Sequence, residues 1–496
     1  MNIQNPIIRG FYPDPSVCHA NGKYYLVCSS MQYFPGVPLF ESSDLVNWKQ
    51  IGHCLTRKSQ IALEKVGSSG GVFAPTIRFH EGRFYMTTTN DTTHQNFYVW
   101  TRDIYKEWSE PVFVDQEGID PSLYFENDHA YFMSNGSDDK GIGSIIQCEI
   151  NILTGEKLTP SRVIWQGTGG RYLEGPHLYK IEEDYYLVAA EGGTEYGHMV
   201  TYARGKSPYG PFVSYALNPV LTNRNLGGYE IQGVGHGDLI KAPDGSYWML
   251  HLGFRQTGKW TTFHHLGREV FLTPVEFQED GWFTAGDKGT TREQVDVPSL
   301  LSPQQKKAEY TFENTDWNID WCYLRHPYDN KYIFFQNKLI LFGTGQSLND
   351  VDSPTLLGLR QKEFKARITC EVTINFGEAG ITIYMDENHH YDIALIKTDE
   401  SYQVIERLCI GNIKSVEAVY DLGSITTARL VIDSDSQQYN FSVVTTDGVY
   451  KLGYGLTRYL SSEVAGGFTG VMIGLYAFSD SIPNKAEFTD FSFIYQ

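Results

Sequence analysis

The sequence lacks any long apolar run, and it has few positive charges for its length. No stretch approaches the about 18 apolar residues of a membrane-spanning helix. The N-terminus MNIQNPIIRGF has none of the parts of a secretory signal, although a chain whose signal had been removed would look the same. Its 40 Lys and Arg against 59 Asp and Glu give a formal net charge of −19. We therefore expect no nucleic acid, no membrane and no polyanionic substrate as partner, and a neutral ligand is the simplest match.

Cysteine is also scarce and irregularly spaced. The seven cysteines are an odd number without CxxC or other metal-ligand spacing, which predicts reduced thiols in a cytoplasmic protein. The pairs His264–His265 and His389–His390 are adjacent and lack the i, i+4 spacing of a helical zinc site. The glycine-rich stretch 167–175, GTGGRYLEG, lacks the lysine and helix start of a phosphate loop. No G-x-S-x-G nucleophile turn occurs.

Aromatic residues and glycine, by contrast, are abundant. Aromatics make up 14% of the chain, with 33 Tyr and 28 Phe, and these residues favour strands. The 48 glycines indicate many tight turns. A chain of 496 residues is too long for one ordinary core, so an all-β protein of two or three domains is expected.

One short hairpin pattern recurs five times in the first half of the chain. Each copy is a polar turn followed by aromatic and aliphatic strand residues. The copies are NGKYYLV (21–27), EGRFYMT (81–87), NDHAYFM (127–133), EEDYYLV (182–188) and DGSYWML (244–250), with aligned aromatics Tyr25, Tyr85, Tyr131, Tyr186 and Trp248. A distinctive phrase precedes each aromatic. Counted from one residue of each phrase, the offset is eleven or twelve; these residues are Asp14, Ala74, Asp120, Glu174 and His236. Further strands follow each hairpin, so the pattern predicts a five-bladed β-propeller over about 290 residues.

The recurring phrases place acidic residues at equivalent positions. The first strand of every propeller blade lines the central axis, so Asp14, Asp120 and Glu174 are expected to meet at the mouth of the channel. A single Asp-Pro is usually a turn that caps its own backbone. Three clustered carboxylates raise each other's pKa, and stability alone gives no reason to gather them. Glycoside hydrolysis needs an acid and a base or nucleophile, and a third carboxylate can keep the acid protonated.

Several ordered motifs between residues 5 and about 275 resemble glycoside hydrolase family 43, in its β-xylosidase and α-L-arabinofuranosidase branch. They are NPIIRGFYPDPSV, YFPGVPLFESSDLVNW, GGVFAPTIRF, GIDPSLYF, YLEGPHLYK, GVGHGDLI and GREVFLTPV. The resemblance implies an inverting enzyme that needs no cofactor for its chemistry. It implies that Asp14 is the general base, that Glu174 is the general acid, and that Asp120 modulates the pKa of the acid and holds it in position.

The same resemblance suggests residues that bind the substrate. His236 resembles an axial histidine near the sugar or a bound ion, or else it is a hydrogen-bonded channel residue. Arg268 resembles a substrate-contacting arginine, and its alternative is a surface ion pair with Glu269. Phe34 and Phe73 are expected to form an apolar wall for a sugar face, with core packing as the alternative. Many relatives carry tryptophan in place of Phe73, which leaves the shape of the sugar subsite open.

A second domain follows the propeller. Residues 286–308 are polar and without period, and they predict a linker at 291–308 between a propeller at 1–290 and a domain at 309–496. KARITCEVTINF (365–376) alternates with one apolar face, which predicts an antiparallel β-sandwich. The resemblance makes this sandwich concanavalin-like, and it implies that the domain helps close the site into a pocket. One structural calcium ion is compatible with it, although no ligand cluster identifies a metal site, and a homo-oligomer is expected.

The sequence therefore predicts an exo-glycosidase that releases terminal pentoses from neutral arabino- and xylo-oligosaccharides. APTIR (74–78) favours α-L-arabinofuranosidase activity, with β-xylosidase activity as companion or, in a strict β-xylosidase, as alternative. A non-catalytic sugar-binding propeller would lack one of the three acids or replace it with an amide. A retaining enzyme acting on fructosides would carry Asn-Asp-Pro-Asn-Gly near the start, where Tyr-Pro-Asp-Pro-Ser stands. The preferred sugar, its linkage, the metal and the oligomeric state stay open.

Overall fold

Five antiparallel four-stranded sheets, blades I to V, follow one another along the first part of the chain. The computed structural model describes residues 2–297, 309–480, 482 and 484–496. The strands are Ser16–Ala20, Lys23–Val27, Gly36–Ser42 and Lys49–Leu55 in blade I; Thr76–His80, Arg83–Asn90, Gln95–Thr101 and Val112–Val114 in blade II; Ser122–Glu126, His129–Ser137, Gly143–Ile150 and Arg162–Trp165 in blade III; Glu174–Ile181, Asp184–Glu191, Met199–Gly205 and Val213–Ser214 in blade IV; and Ile231–Lys241, Tyr247–Arg255, Glu269–Phe277 and Phe283–Ala285 in blade V. The predicted five-bladed propeller is confirmed.

The turn residues explain why each blade begins with a tight hairpin. Asn21–Gly22 and Glu81–Gly82 have φ of 53° and 76°, and of 46° and 73°. Two successive residues with positive φ form the turn whose twist matches that of the flanking strands. The five aligned aromatics lie in the second strands and are at most 8% exposed. They fill the spaces between neighbouring blades, which is why the pattern recurs.

The N-terminal strand closes the propeller. Asn2–Gln4 pairs antiparallel with Gln294–Asp296, beyond the last blade. The side chain of Asn5 donates to the carbonyl oxygens of Leu272 and Arg292, each at 3.0 Å. The first part of the expected linker at 291–308 therefore belongs to the propeller, and residues 298–308 lie outside the described part of the chain.

The C-terminal part is a sandwich of two antiparallel eight-stranded sheets, as predicted. The far sheet contains Glu309–Thr311, Tyr332–Phe335, Lys338–Phe342, Ala366–Ile374, Thr427–Ser434, Gln438–Thr445, Gly448–Leu456 and Lys485–Tyr495, and the propeller-side sheet contains Tyr33–Phe34, Cys322–Leu324, Thr355–Arg360, Glu378–Asp386, His389–Lys397, Tyr402–Ile410, Ile413–Gly423 and Met472–Phe478. The predicted alternation is seen in Ala366–Ile374, whose apolar side chains are buried between the sheets. A 3₁₀ turn, Thr457–Leu460, and a one-turn helix, Ser462–Ala465, connect two of the strands.

The two parts share a sheet. Tyr33–Phe34, from within blade I, pairs with Cys322–Leu324 and so becomes the edge of the propeller-side sheet. Arg325 is fully buried at this junction, where its Nη1 donates to the carbonyl oxygen of Asp352 at 2.6 Å. It also forms an ion pair with Glu387. Backbone pairing and a buried charge together fix the sandwich to one side of the propeller.

All seven cysteines are buried free thiols. Among the described residues, neither of the helical segments has the length and apolar character needed to cross a membrane.

One carboxyl group in the sandwich core has no hydrogen-bond partner among the described residues. Glu406 is 0% exposed, and both of its Oε atoms are unpaired. A Cβ at Gly453, on the opposite sheet, would lie 2.2 Å from Glu406 Oε2, so a larger residue there would displace the carboxyl group. Burial, together with the charge of Glu417, raises the pKa of Glu406 to about 7. The group is therefore protonated in the folded state at pH values where it is ionised in the unfolded chain.

We expect Glu406→Gln to stabilise the protein above neutral pH but much less in acid. Because the folded pKa lies above the unfolded one, the wild type loses stability as pH rises from about 4.5 to about 7, whereas glutamine does not titrate. The gain in Tm over wild type should grow by a few °C between about pH 5 and about pH 9. Thermal unfolding at both pH values measures this difference in Tm, and Glu400→Gln, at an exposed position, serves as the control. A Tm difference that does not change with pH would contradict the buried, neutral Glu406.

Candidate active site

The three carboxylates meet in one cavity at the propeller mouth. Asp14 and Asp120 each lie two residues before the first strand of their blade, and Glu174 begins the first strand of blade IV. All three line a cavity of about 330 Å³, together with His236 of blade V. The predicted convergence of these residues is therefore seen in the structure. The remaining lining residues are Met31, Phe73, Ala74, Ile119, Tyr172, Gly193, Thr194, Glu195, His198, Arg268 and Phe468.

A repeated backbone conformation marks the equivalent positions. Asp14, Asp120 and His236 have φ of 56°, 54° and 50°, a left-handed conformation that side chains other than glycine rarely adopt. In blade IV the corresponding φ of 59° belongs to Gly175, so the acid Glu174 stands one residue earlier. Strained residues of this kind cluster at functional sites, where the surrounding structure holds them.

Asp14 is buried and held from two sides. Its Oδ2 accepts from the Ser29 hydroxyl at 2.5 Å, and its Oδ1 accepts from Arg268 Nη1 at 2.8 Å. Burial alone would raise the pKa of Asp14, but Arg268 and the Ser29 hydroxyl outweigh it, and the pKa lies below its usual value. Asp14 is therefore an ionised carboxylate that can accept a proton.

Asp120 and Glu174 have the opposite electrostatic setting. Burial, with the charges of Glu174 and Asp14, raises the pKa of Asp120 well above its usual value, although Arg268 and the backbone N–H of Gly175 oppose the shift. Burial and the charge of Asp14 raise the pKa of Glu174 to about 7. The two groups interact directly, so the pair keeps a proton near neutral pH.

Arg268 contacts other residues of the cavity and not Glu269, its neighbour in sequence. Besides the bond to Asp14, its Nη1 donates to Thr194 Oγ1 at 2.9 Å and its Nη2 donates to the carbonyl oxygen of Phe468 at 3.2 Å. Glu269 pairs instead with Arg255, at 2.7 Å. The alternative of a surface ion pair between Arg268 and Glu269 is therefore wrong. The Nε–H of Arg268 is buried and has no hydrogen-bond partner in the described chain.

Two neutral histidines lie beside the carboxylates. His236 is buried, and burial lowers its pKa although Asp14 opposes the shift. Its ring packs on Gly175, where a Cβ would lie 2.9 Å from His236 Cε1. The second histidine, His198, lies in no recognisable sequence motif, and its Nδ1 is 3.1 Å from the carbonyl oxygen of Gly233. Burial lowers the pKa of His198 to about 3, so both rings are uncharged and add no positive charge to the cavity.

The aromatic wall differs from the expected one. Phe73 lines the cavity, as expected, but Phe34 does not stand among the lining residues. Phe34 is buried, and its ring packs against His326 with centroids 4.8 Å apart, because its strand belongs to the propeller-side sheet. Phe468, from the sandwich, takes its place and meets Phe73 edge to face at 6.5 Å. Phe34 is therefore a junction residue, and the cavity wall is formed by both domains.

The segment around Phe468 docks closely on the propeller. The backbone N–H of Phe468 donates to Ser69 Oγ at 2.8 Å. At Gly470 a Cβ would lie 2.4 Å from the carbonyl oxygen of Leu266. The two backbone segments are therefore too close for a residue with a side chain at this position. The sandwich thus supplies a ring to the cavity and a carbonyl oxygen to Arg268, the partner of Asp14.

A second contact fixes the loop that carries Thr194. Glu463 Oε1 accepts from Tyr196 Oη at 2.7 Å and lies 2.8 Å from His264 Nδ1. Its Oε2 accepts from the backbone N–H of His264 at 3.0 Å. Burial opposes ionisation, but these contacts lower the pKa of Glu463 to about 2. The one-turn helix of the sandwich is therefore tied to the propeller loop at residues 192–198.

We expect Phe468→Ala to raise KM for p-nitrophenyl α-L-arabinofuranoside by about 10-fold, with a smaller effect on kcat. The variant removes the aromatic wall, worth about 1 kcal/mol or more, but it keeps the carbonyl oxygen that holds Arg268. Steady-state kinetics measure both constants. Val464→Ala, an exposed change in the neighbouring helix, serves as the control and should match wild type. An unchanged KM would mean that Phe468 does not contact the bound sugar.

A buried ion pair supports the cavity from below. Asp238 is fully buried and forms a salt bridge with Arg78, with Nη1 and Oδ2 2.9 Å apart. Its Oδ2 also accepts from Ser16 Oγ at 2.6 Å. These contacts join the first strands of blades I, II and V around the axis. The sequence contained the motif GHGDL but gave no sign that this aspartate is structural.

The glycine-rich stretch 167–175 also has a structural task. Glu191, fully buried, accepts from the backbone N–H groups of Thr168 at 2.8 Å and Gly170 at 2.7 Å. Thr201 Oγ1 donates to the same carboxylate at 2.8 Å. The stretch is therefore folded around a protein carboxylate, a few residues before Glu174.

In the part of the chain that the structure describes, no three His, Cys, Asp or Glu side chains are placed to hold a metal ion. The expectation of a structural calcium ion therefore gains no support. The adjacent His264 and His265 have different surroundings: His264 contacts Glu463, whereas His265 is fully buried.

The arrangement combines an ionised carboxylate with a protonated acid in one pocket lined by aromatic rings. Such a pair can move a proton onto one oxygen and take a proton from another in the same step. The site residues predicted from sequence lie together, except Phe34. The added residues, Thr194, His198 and Phe468, come from loops without a recognisable pattern.

Comparisons with known proteins agree with this geometry. The sequence profile described as "Glycosyl hydrolases family 43" matches residues 3–283, and "Beta xylosidase C-terminal Concanavalin A-like domain" matches residues 309–494. A "Non-reducing end alpha-L-arabinofuranosidase" of Bacteroides ovatus is 36% identical over 99% of this chain and 94% of its own length. A "Xylosidase/arabinosidase" of Butyrivibrio fibrisolvens is 33% identical, covering 99% and 98%. The solved structure "Bacteroides ovatus Xyloglucan PUL GH43B" superposes with a TM-score of 0.93 and 34% identity, covering 100% of both chains.

Proposed function

Because the chain belongs to glycosyl hydrolases family 43, we propose that it is an inverting exo-glycosidase releasing terminal α-L-arabinofuranosyl units from neutral oligosaccharides. The observation that carries this proposal is the division of charge among three carboxylates in one cavity. Asp14 is held ionised, whereas Asp120 and Glu174 keep a proton near neutrality. A base and an acid of this kind are what hydrolysis of a glycosidic bond requires, and no cofactor enters that reaction.

The proposed reaction moves two protons. A water molecule on one face of the terminal sugar gives a proton to Asp14 as its oxygen bonds to the anomeric carbon. On the other face, Glu174 gives its proton to the glycosidic oxygen as the bond from that oxygen to the anomeric carbon breaks. The new C–O bond forms opposite the broken one, so the released sugar has inverted configuration. Asp120, whose raised pKa depends in part on Glu174, shares a proton with that acid, and Arg268 keeps Asp14 ionised.

The small size of the cavity supports exo action. Its volume of about 330 Å³ is at the low end for small-molecule pockets, about 300–1,000 Å³. Phe468, from the sandwich, lines the cavity beside the propeller residues, whereas binding the middle of a chain would need a long open groove. We infer that one terminal sugar enters and that the rest of the substrate stays outside.

The choice of pentose rests on similarity. The Bacteroides ovatus relative is named for α-L-arabinofuranosides at the non-reducing end, and the Butyrivibrio fibrisolvens relative is named for both activities. A "Beta-xylosidase" of Bacillus subtilis is 29% identical over 96% of both chains. We therefore propose arabinofuranoside as the preferred substrate and β-D-xyloside as a companion.

Initial rates on p-nitrophenyl α-L-arabinofuranoside and p-nitrophenyl β-D-xyloside test the proposal, together with the products formed from an arabino-oligosaccharide. We expect a higher kcat/KM for the arabinofuranoside and free arabinose as the first product. Release of di- or trisaccharides first would contradict exo action. If neither pentoside is cleaved, the assignment to pentoses is wrong.

A further inference from the structure

Tyr172 is an exposed aromatic residue at the mouth of the cavity. It lines the cavity, yet 61% of its surface is accessible. Its φ is 54°, a left-handed conformation that a bulky side chain rarely adopts. Exposure and backbone strain together are unusual for a residue that only fills space. Strain of this kind points to a function that the surrounding structure enforces.

Neighbouring residues contact the ring and restrict its orientation. The guanidinium of Arg171 lies 5.2 Å from the centroid of the Tyr172 ring. Arg171 is exposed, and its Nη2 donates to Glu195 Oε1 at 3.1 Å and its Nε to the carbonyl oxygen of Gly192 at 3.1 Å. The ring also rests against Gly193, where a Cβ would lie 3.1 Å from Tyr172 Cδ2. A platform prepared in this way loses little side-chain freedom when a ligand binds.

The position of the ring relative to Glu174 indicates which part of the substrate it meets. Tyr172 stands two residues before Glu174, on the same segment leading into blade IV. In the proposed reaction Glu174 protonates the oxygen of the leaving group. The terminal pentose occupies the inside of the cavity, so the leaving-group sugar must extend from Glu174 toward the mouth. Among the Phe and Tyr residues that line the cavity, Tyr172 is the most exposed, as expected of a ring near the mouth.

We propose that Tyr172 is the binding platform for the leaving-group sugar, and that its ring stacks against the apolar face of that neutral sugar. The inference rests on the proposed function and adds a second subsite to the same cavity. It predicts that the enzyme distinguishes substrates by the sugar to which the pentose is attached. A leaving group without a ring gains nothing from this contact.

The test compares two substrates with the same pentose, an arabino-oligosaccharide and α-L-arabinofuranosyl fluoride. In Tyr172→Ala the ratio of kcat/KM for the oligosaccharide to kcat/KM for the fluoride should fall by about fivefold to tenfold, the effect of losing one ring contact. Alanine is the right replacement because it keeps a Cβ and with it the strained left-handed backbone. Glycine would relax that strain and confuse the result.

Two further variants keep the test specific. Tyr172→Phe keeps the ring and should keep the wild-type ratio, and Tyr454→Ala, equally exposed on the sandwich at 58%, should too. The alkaline limb of the pH profile should not move in Tyr172→Ala, because a displaced Glu174 would shift it. An unchanged ratio, or a lowered ratio with a shifted alkaline limb, would overturn the proposal. Failure of wild type on every pentoside would instead overturn the proposed function.

Discussion

Replacing Glu174 with glutamine is expected to lower kcat on an arabino-oligosaccharide by about 10²–10⁴-fold, the usual contribution of a general acid. Glutamine keeps the size of the side chain but has no proton to give. On p-nitrophenyl α-L-arabinofuranoside the loss should be much smaller, since p-nitrophenolate leaves without protonation. The gap between the two substrates identifies Glu174 as the acid. Equal losses on both would assign it another role.

The pH dependence adds an independent check of the same group. Because the pKa of Glu174 is raised to about 7, its protonated form is lost as pH rises through that value. Wild-type kcat/KM on the oligosaccharide should therefore fall on the alkaline side of about pH 7. In Glu174→Gln the alkaline limb should disappear. An alkaline limb that survives the substitution would show that another group supplies the proton.

Asp14→Asn is expected to lower kcat by about 10²–10⁴-fold on both substrates alike. The base activates water whatever the leaving group is, so an aryl group cannot compensate for its loss. Asparagine keeps the shape but has no charge for Arg268 Nη1, which donates to Asp14 Oδ1 at 2.8 Å in the wild type. Kinetics on the same substrate pair measure the effect.

The control for Asp14 is Asp244→Asn, an exposed turn residue of blade V that bonds Ser246. It should have wild-type kinetics. If Asp14→Asn loses activity only on the oligosaccharide, Asp14 assists the leaving group and the assigned roles of the two carboxylates are reversed. If it keeps most of its activity on both, the base lies elsewhere in the cavity.

The propeller could be predicted from sequence because its repeats are local. Each hairpin carries its own turn signal, and Tyr25 and its counterparts pack between blades for the same reason every time. Equivalent positions in a closed repeat must face one axis, so the convergence of Asp14, Asp120 and Glu174 followed from counting residues. The alternating sandwich strand at 366–374 was visible on the same grounds.

The rest of the site depends on contacts between distant parts of the chain. Phe468 is far from Phe73 in sequence, and only the docking of the sandwich brings their rings to 6.5 Å. Phe34 was misplaced because an aromatic before Pro-Gly looks the same in a cavity wall and in a sheet between domains. The ion-pair partner of Arg268 could not be predicted either. Two adjacent residues in a sequence do not reveal which side chain lies on which side of a strand.

The configuration of the first product is the measurement that tests the inverting two-carboxylate mechanism most directly. Proton NMR of the reaction with an α-L-arabinofuranoside, recorded before mutarotation, shows which anomer of arabinose is released. With Asp14 as base and Glu174 as acid on opposite faces of the sugar, the β-anomer should appear first. If the α-anomer appears first, the reaction passes through a covalent intermediate, and Asp14 cannot act as the base that activates water in a single displacement.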